Sequence, residues 1–280
     1  MALRGLENAA DGFRAGAADL VRMAETTPVG LLARVLLVFS FLFMALPGID
    51  LAVSSWFAGP QGGFPLEADP ALNLLRSLND ALILALLATA TISLVSAAAD
   101  RPSRWLMRPY KALFLFAVFA VGPGLVVNLI MKELFGRARP REILEFGGDL
   151  PFSAPWQVVG GCAGNCSFTS GEAASAAAML AVGLLVARPW RPVVLAAIAL
   201  PAAAISLNRI AFGGHFLSDV VLSWLIVAIV MLLIWPVFAA AAPVIDKRVT
   251  GSGLEAWRIA KARFGAVRRP VSAASDVSPA

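Results

Sequence analysis

Asp219-Val-Val-Leu-Ser-Trp-Leu-Ile-Val-Ala-Ile-Val-Met-Leu-Leu-Ile-Trp-Pro-Val-Phe-Ala-Ala-Ala-Ala-Pro-Val-Ile-Asp246 carries no charged side chain between its two terminal carboxylates. A helix of that length exceeds the roughly 20 residues needed to cross the hydrocarbon of a bilayer. Composition agrees: 59% of the 280 residues are hydrophobic and only 15% are charged, against roughly 25% charged in soluble domains. A soluble chain of this size has no interior large enough to hide so much apolar surface. Disorder is excluded by the same figures, and a disulfide scaffold by the presence of two cysteines alone. The chain is read as an all-α, multi-pass membrane protein.

Five further charge-free runs precede that stretch. They lie between Arg34 and Asp50 (extended back to Val29), Asp80 and Asp100, Lys111 and Lys132, Glu172 and Arg188, and Arg191 and Arg209. The reading predicts six transmembrane helices within a membrane domain at 29–245. The fourth and fifth runs are short, so their charged ends lie at or below the interface, which is costly unless those charges are used. A buried hairpin that does not cross is the alternative for those two. Residues 1–28 place Leu3, Leu6, Ala10, Phe13, Ala17 and Leu20 on one stripe, which predicts an amphipathic helix on the inner membrane face. They lack the continuous apolar core of a cleavable signal peptide. Residues 246–280 read as a basic tail on anionic lipid heads with a disordered end.

The distribution of positive charge sets the orientation. With six spans, 17 of the 23 Lys and Arg residues fall on the side holding both termini, which is therefore cytoplasmic. The remaining six, Arg76, Lys132, Arg137, Arg139, Arg141 and Arg209, fall on the opposite side, the periplasm of a bacterial inner membrane.

Three elements on that outer side carry chemistry. In Lys132-Glu-Leu-Phe-Gly-Arg-Ala-Arg139-Pro140, Lys132 and Arg139 stand two helical turns apart and are expected to project from one helix face toward a dianion such as phosphate. Binding of lipid heads is the plainer reading of such a cluster, although basic lipid-binding clusters belong on the cytoplasmic side. Ser167-Phe-Thr169-Ser170-Gly171-Glu172 opens the fourth helix, where backbone N–H groups, a hydroxyl and the helix dipole suit an oxyanion. An ordinary N-cap is the competing reading. In Asn208-Arg209-Ile-Ala-Phe-Gly-Gly214-His215-Phe-Leu-Ser-Asp219, the sole histidine precedes an aspartate at i+4. A carboxylate on one ring nitrogen would fix the tautomer and leave the other nitrogen free to attack.

Together these elements resemble the type 2 phosphatidic acid phosphatase (PAP2) superfamily. Its signature is Lys-x6-Arg-Pro, Pro-Ser-Gly-His, then Ser-Arg-x5-His-x3-Asp. The first is matched fully, the second at Ser170 and Gly171, and the third everywhere except Asn208 in the Ser place. The resemblance implies that Lys132, Arg139 and Arg209 grip phosphate, that Ser170 and the Gly171 amide complete the cradle, and that His215 is a nucleophile oriented by Asp219. It implies a metal-independent phosphatase without a cofactor, acting on a phosphorylated membrane lipid within the bilayer; no nucleic-acid partner is expected. The family's second histidine is replaced by Glu172, which is expected to serve as the general acid. The Thr-Ser-Gly-Glu form with nearby cysteines is similar to a branch containing lipid A phosphatases. Phosphatidic acid, phosphatidylglycerol phosphate and undecaprenyl pyrophosphate are alternative substrates. Phosphoryl transfer to a lipid, or silent binding or transport of a lipid phosphate, are alternative activities. Cys162 and Cys166, separated by three residues on the oxidising side, are expected to form a disulfide.

Overall fold

The computed structural model describes residues 27–256 and 258, except 102, 104 and 163. The amphipathic helix expected before Pro28 and most of the basic tail lie outside the described residues. Within them the chain is helical; a single bridge between Ile143 and Leu150 is the one β-type pairing.

Helix α1, Pro28–Ala45, starts where Thr27 Oγ1 accepts the Gly30 N–H at 3.1 Å and Pro28 presets the first turn. A short α2, Gly48–Ser55, follows on the same end of the bundle. Asp69 caps α3, Pro70–Ala98, by accepting the Leu72 N–H at 2.9 Å. The third span, α4, is built from Pro109–Phe119, a wide π-type stretch Ala120–Met131, and Lys132–Phe135. Helix α5 is Gly171–Leu185, α6 is Arg191–Ala211 and α7 is Leu217–Val249.

Five of these helical stretches are long and apolar enough to cross a membrane; α5 is a shorter apolar helix. Its composition explains its place. Ala173, Ala174, Ala176, Ala177, Ala178 and Ala181 are all buried, because small side chains let neighbouring backbones approach closely. Around α5, Phe114, Leu115 and Val118 of α4 and Val227 of α7 complete the main core. Outward-facing Leu37, Phe41, Leu84, Leu200, Leu233 and Val237 form the apolar exterior that a bilayer covers. The segments 46–69, 136–170 and 212–216 all leave the bundle at one end, and that end collects the polar residues.

Candidate active site

The third span brings the first cation to this end. Pro123 has no N–H to give, and the turns widen around Gly122-Pro123-Gly124. Asn128 Nδ2 donates to the Pro123 carbonyl at 2.8 Å. The helix stops at Phe135, where Gly136 adopts φ 59°. Arg139 therefore does not continue the helical face of Lys132, contrary to the two-turn spacing argument. The loop brings them together instead: Asn165 accepts from Lys132 Nζ through its side chain at 2.8 Å and from Arg139 Nη2 through its carbonyl at 2.5 Å.

Ser170 sits at the head of α5, fully buried, and its hydroxyl accepts the Ala173 N–H at 3.3 Å. A Cβ on Gly171 would lie 2.5 Å from Asn128 Oδ1 and 3.3 Å from Lys132 Nζ, so glycine is what lets the third span close on this helix start. Beside them the buried Thr169 hydroxyl has no hydrogen-bond partner.

The third element is a tight turn between α6 and α7. The Arg209 carbonyl accepts the N–H groups of Gly214 at 3.0 Å and His215 at 3.2 Å. Gly213 has φ 59°, and a Cβ there would come within 2.3 Å of the Phe64 ring. His215 ends this turn, only 3% exposed. Its Nδ1 is 2.8 Å from the Ser167 carbonyl and 3.9 Å from Asp219 Oδ2. A carbonyl only accepts, so Nδ1 carries the hydrogen and Nε2 the lone pair. Asp219 is thus not the direct hydrogen-bond partner of the imidazole. Helix α7 begins after His215, and Asp219 folds back to cap it, its Oδ2 accepting the Phe216 N–H at 2.9 Å and the Ser167 hydroxyl at 2.5 Å. Asp219 holds Ser167, and Ser167 holds His215.

Arg137, which the motif comparison passed over, anchors this chain of bonds. It is 1% exposed, between two carboxylates that are fully buried. Its Nη1 donates to Asp219 Oδ1 at 2.6 Å, its Nη2 to Asp50 Oδ2 at 2.8 Å and its Nε to the Ser153 carbonyl at 2.9 Å. Ser218 joins in, its hydroxyl donating to Asp50 Oδ2 at 2.5 Å. The guanidinium lies 4.2 Å from the Phe216 ring centroid. The Arg137 carbonyl in turn accepts the Ser167 N–H at 2.8 Å. The sequence signal for Arg137 is its place among the six cations opposite the termini, two residues from Arg139; for Asp50 it is only the end of a charge-free run.

Glu172 stands at the mouth, its carboxylate 2.8 Å from Arg76 Nη2 and 3.4 Å from Arg209 Nε. It is an ion-pair partner of two guanidinium groups. The Cys162–Cys166 disulfide, with Cα atoms 5.7 Å apart, encloses Asn165. Among the described residues no cluster of three His, Cys, Asp or Glu is placed to hold a metal ion.

Burial holds the His215 imidazole well below its ordinary pKa, and the positive charges of Arg209, Lys132 and Arg139 push it the same way; the Ser167 carbonyl acts in the opposite direction. The ring is therefore neutral at physiological pH. A neutral imidazole of fixed tautomer, ringed by three cations, can attack an electrophile whose negative oxygens those cations hold.

The PAP2 superfamily model matches residues 111–242. A lipid A 4'-phosphatase of Rhizobium leguminosarum is 36% identical over 201 residues, covering 66% of this chain and 84% of that protein. Lipid A 4'-phosphatases of Rhizobium etli and Francisella tularensis subsp. novicida are 35% and 38% identical over 201 and 131 residues, covering 66% and 46% of this chain and 77% and 58% of theirs. The fold resembles the crystal structure of a transmembrane PAP2-type phosphatidylglycerolphosphate phosphatase from Bacillus subtilis, with TM-score 0.51 and 18% identity over 75% of this chain and 94% of that one. The chain belongs to the PAP2 superfamily and is a membrane phosphatase acting on phosphorylated lipid.

Proposed function

We propose that this protein hydrolyses a phosphate monoester of a lipid A-type glycolipid through a phosphohistidine intermediate, at the outer face of a bacterial inner membrane with both termini in the cytoplasm. One observation carries the chemistry: His215 Nδ1 is committed to the Ser167 carbonyl at 2.8 Å, which leaves the Nε2 lone pair as nucleophile. The names of three relatives support the substrate, and the excess of basic residues on the opposite side supports the orientation.

Lys132, Arg139 and Arg209 hold the phosphate oxygens, aided by Ser170 and the Gly171 N–H at the positive end of α5. Nε2 attacks phosphorus, the phosphorus–oxygen bond to the lipid breaks, and the leaving oxygen takes a proton. Water then attacks the phosphohistidine, the phosphorus–nitrogen bond breaks, and inorganic phosphate leaves with Nε2 restored. The three cations supply the charge stabilisation, so no metal is needed. Glu172, beside Arg209 at the same site, is the group that hands the leaving oxygen its proton. Phosphate release from purified lipid A and phosphatidic acid, with His215→Ala alongside, tests the reading. Release from lipid A that the variant loses supports it, and release from neither lipid refutes it.

A further inference from the structure

Beside the phosphate site, a cleft of about 210 Å³ opens between α3, α4 and the head of α5. It shares Lys132 and Glu172 with that site, and Asn79, Asp80, Asn128 and Ser175 complete its polar lining. Polar side chains on membrane-crossing helices are costly and mark the path of something polar. Asn79 is the telling one. It is 1% exposed, it lines the cleft, and neither its Nδ2 nor its Oδ1 has a hydrogen-bond partner. A buried amide with both ends unpaired is expensive, and a ligand offering a donor and an acceptor answers it.

We infer that this cleft is a headgroup subsite that recognises a lipid phosphate carrying free hydroxyl or amide N–H groups, such as a phosphorylated acylamino sugar, and discriminates against phosphatidic acid, which has neither. The inference rests on the phosphatase reading and deepens it. Because the cleft shares Lys132 with the phosphate site, the group that a bound phosphate carries is placed to fill it. The volume suits one compact polar group, since a water takes roughly 30 Å³. The donor set then chooses among lipids. Asp80 and Asn79 Oδ1 accept only, so the occupant must donate. A doubly esterified glycerol has ester oxygens and no O–H or N–H to give; a sugar ring with free hydroxyls or an amide N–H has both. The Asp80 carboxylate also repels a second anionic group, which sets the cleft apart from the cationic site next to it.

The test compares kcat/KM for a mono-phosphorylated, N- and O-acylated glucosamine with that for phosphatidic acid, in the same detergent micelles, using the full-length protein. Asn79→Leu and Asp80→Asn should each lower the sugar-to-glycerol ratio about tenfold, chiefly through a higher KM for the sugar lipid. The thermal midpoint of Asn79→Leu should not fall, because an unpaired buried amide has been removed. Asp80→Asn, a small change at an exposed position, keeps the test informative if the leucine variant fails to fold. An unchanged ratio in both variants overturns the subsite. Equal loss on both lipids with a lowered midpoint also overturns it, because Asn79 is then a packing residue. If the parent releases phosphate from neither lipid, the phosphatase reading fails and this inference fails with it.

Discussion

Arg137 donates to Asp219 across 2.6 Å in a site where neither side chain is more than 1% exposed. The pair, closed by Asp50, clamps α2 and α7 to the loop that carries Arg139. Removing the cation leaves two carboxylates buried without their partner, a loss of about 3–5 kcal/mol. Arg137→Met is therefore expected to unfold the protein at a much lower temperature, measured as the thermal midpoint in detergent. Arg137→Lys keeps the charge but cannot reach Asp50, Asp219 and Ser153 together, and should fall between.

Ser167 links Asp219 to His215, and its hydroxyl can be removed without touching the carbonyl that holds the imidazole. Ser167→Ala should lower kcat about tenfold with little change in KM, as expected when one positioning hydrogen bond is lost. If Asp219 instead gripped the ring directly, Ser167→Ala would leave kcat at the parent value.

The lowered pKa of His215 fixes two signs. Protonation destroys the nucleophile, so the acid limb of kcat/KM should lie well below pH 6.5. Arg209→Gln removes the strongest neighbouring charge and should move that limb upward while raising KM. In stability, an unfolded chain takes up the histidine proton near pH 6.5 but the folded one does not. The fold should therefore lose stability on acidification below 6.5, by at most about 1.4 kcal/mol per pH unit from this group. A thermal midpoint of His215→Gln that declines less than the parent's from pH 7 to 5 would check the assignment.

Glu172 separates two roles. Glu172→Gln keeps the shape but removes the proton donor. With a poor alkoxide leaving group the variant should be about 10²-fold slower or worse, and with an aryl phosphate of low leaving-group pKa nearly as fast as the parent. Equal slowing on both would make Glu172 a partner of Arg76 and Arg209 alone.

Asn165 lends its oxygens to Lys132 and Arg139 from inside the Cys162–Cys166 ring. Opening the ring with Cys162→Ser and Cys166→Ser should loosen that placement and raise KM severalfold. In protein from an oxidising compartment, neither cysteine should alkylate before reduction.

Much of this architecture was legible in the sequence because charge is scarce in it. The gaps between charges located the apolar helices, and the six cations read as lying opposite the termini include every one found around His215. The short fourth run became α5, whose alanines suit it to the interior. What stayed hidden depends on backbone paths. Gly136 ends the helix that spacing alone would have continued, so Lys132 and Arg139 meet through a loop. The partner of His215 is a main-chain carbonyl, which every residue possesses and no motif can mark. Asp50, Arg76 and Asn79 lie far from the three motifs in sequence, and only folding shows that they border the same site.

Covalent catalysis by His215 leaves a phosphorylated enzyme that can be trapped. The most direct measurement mixes the protein with a ³²P-labelled lipid phosphate, quenches within one turnover and counts label on the chain. Transient label, stable in alkali and labile in acid, is expected on the parent and none on His215→Gln, which should also release no phosphate. Turnover by His215→Gln, or label that persists on that variant, would contradict it.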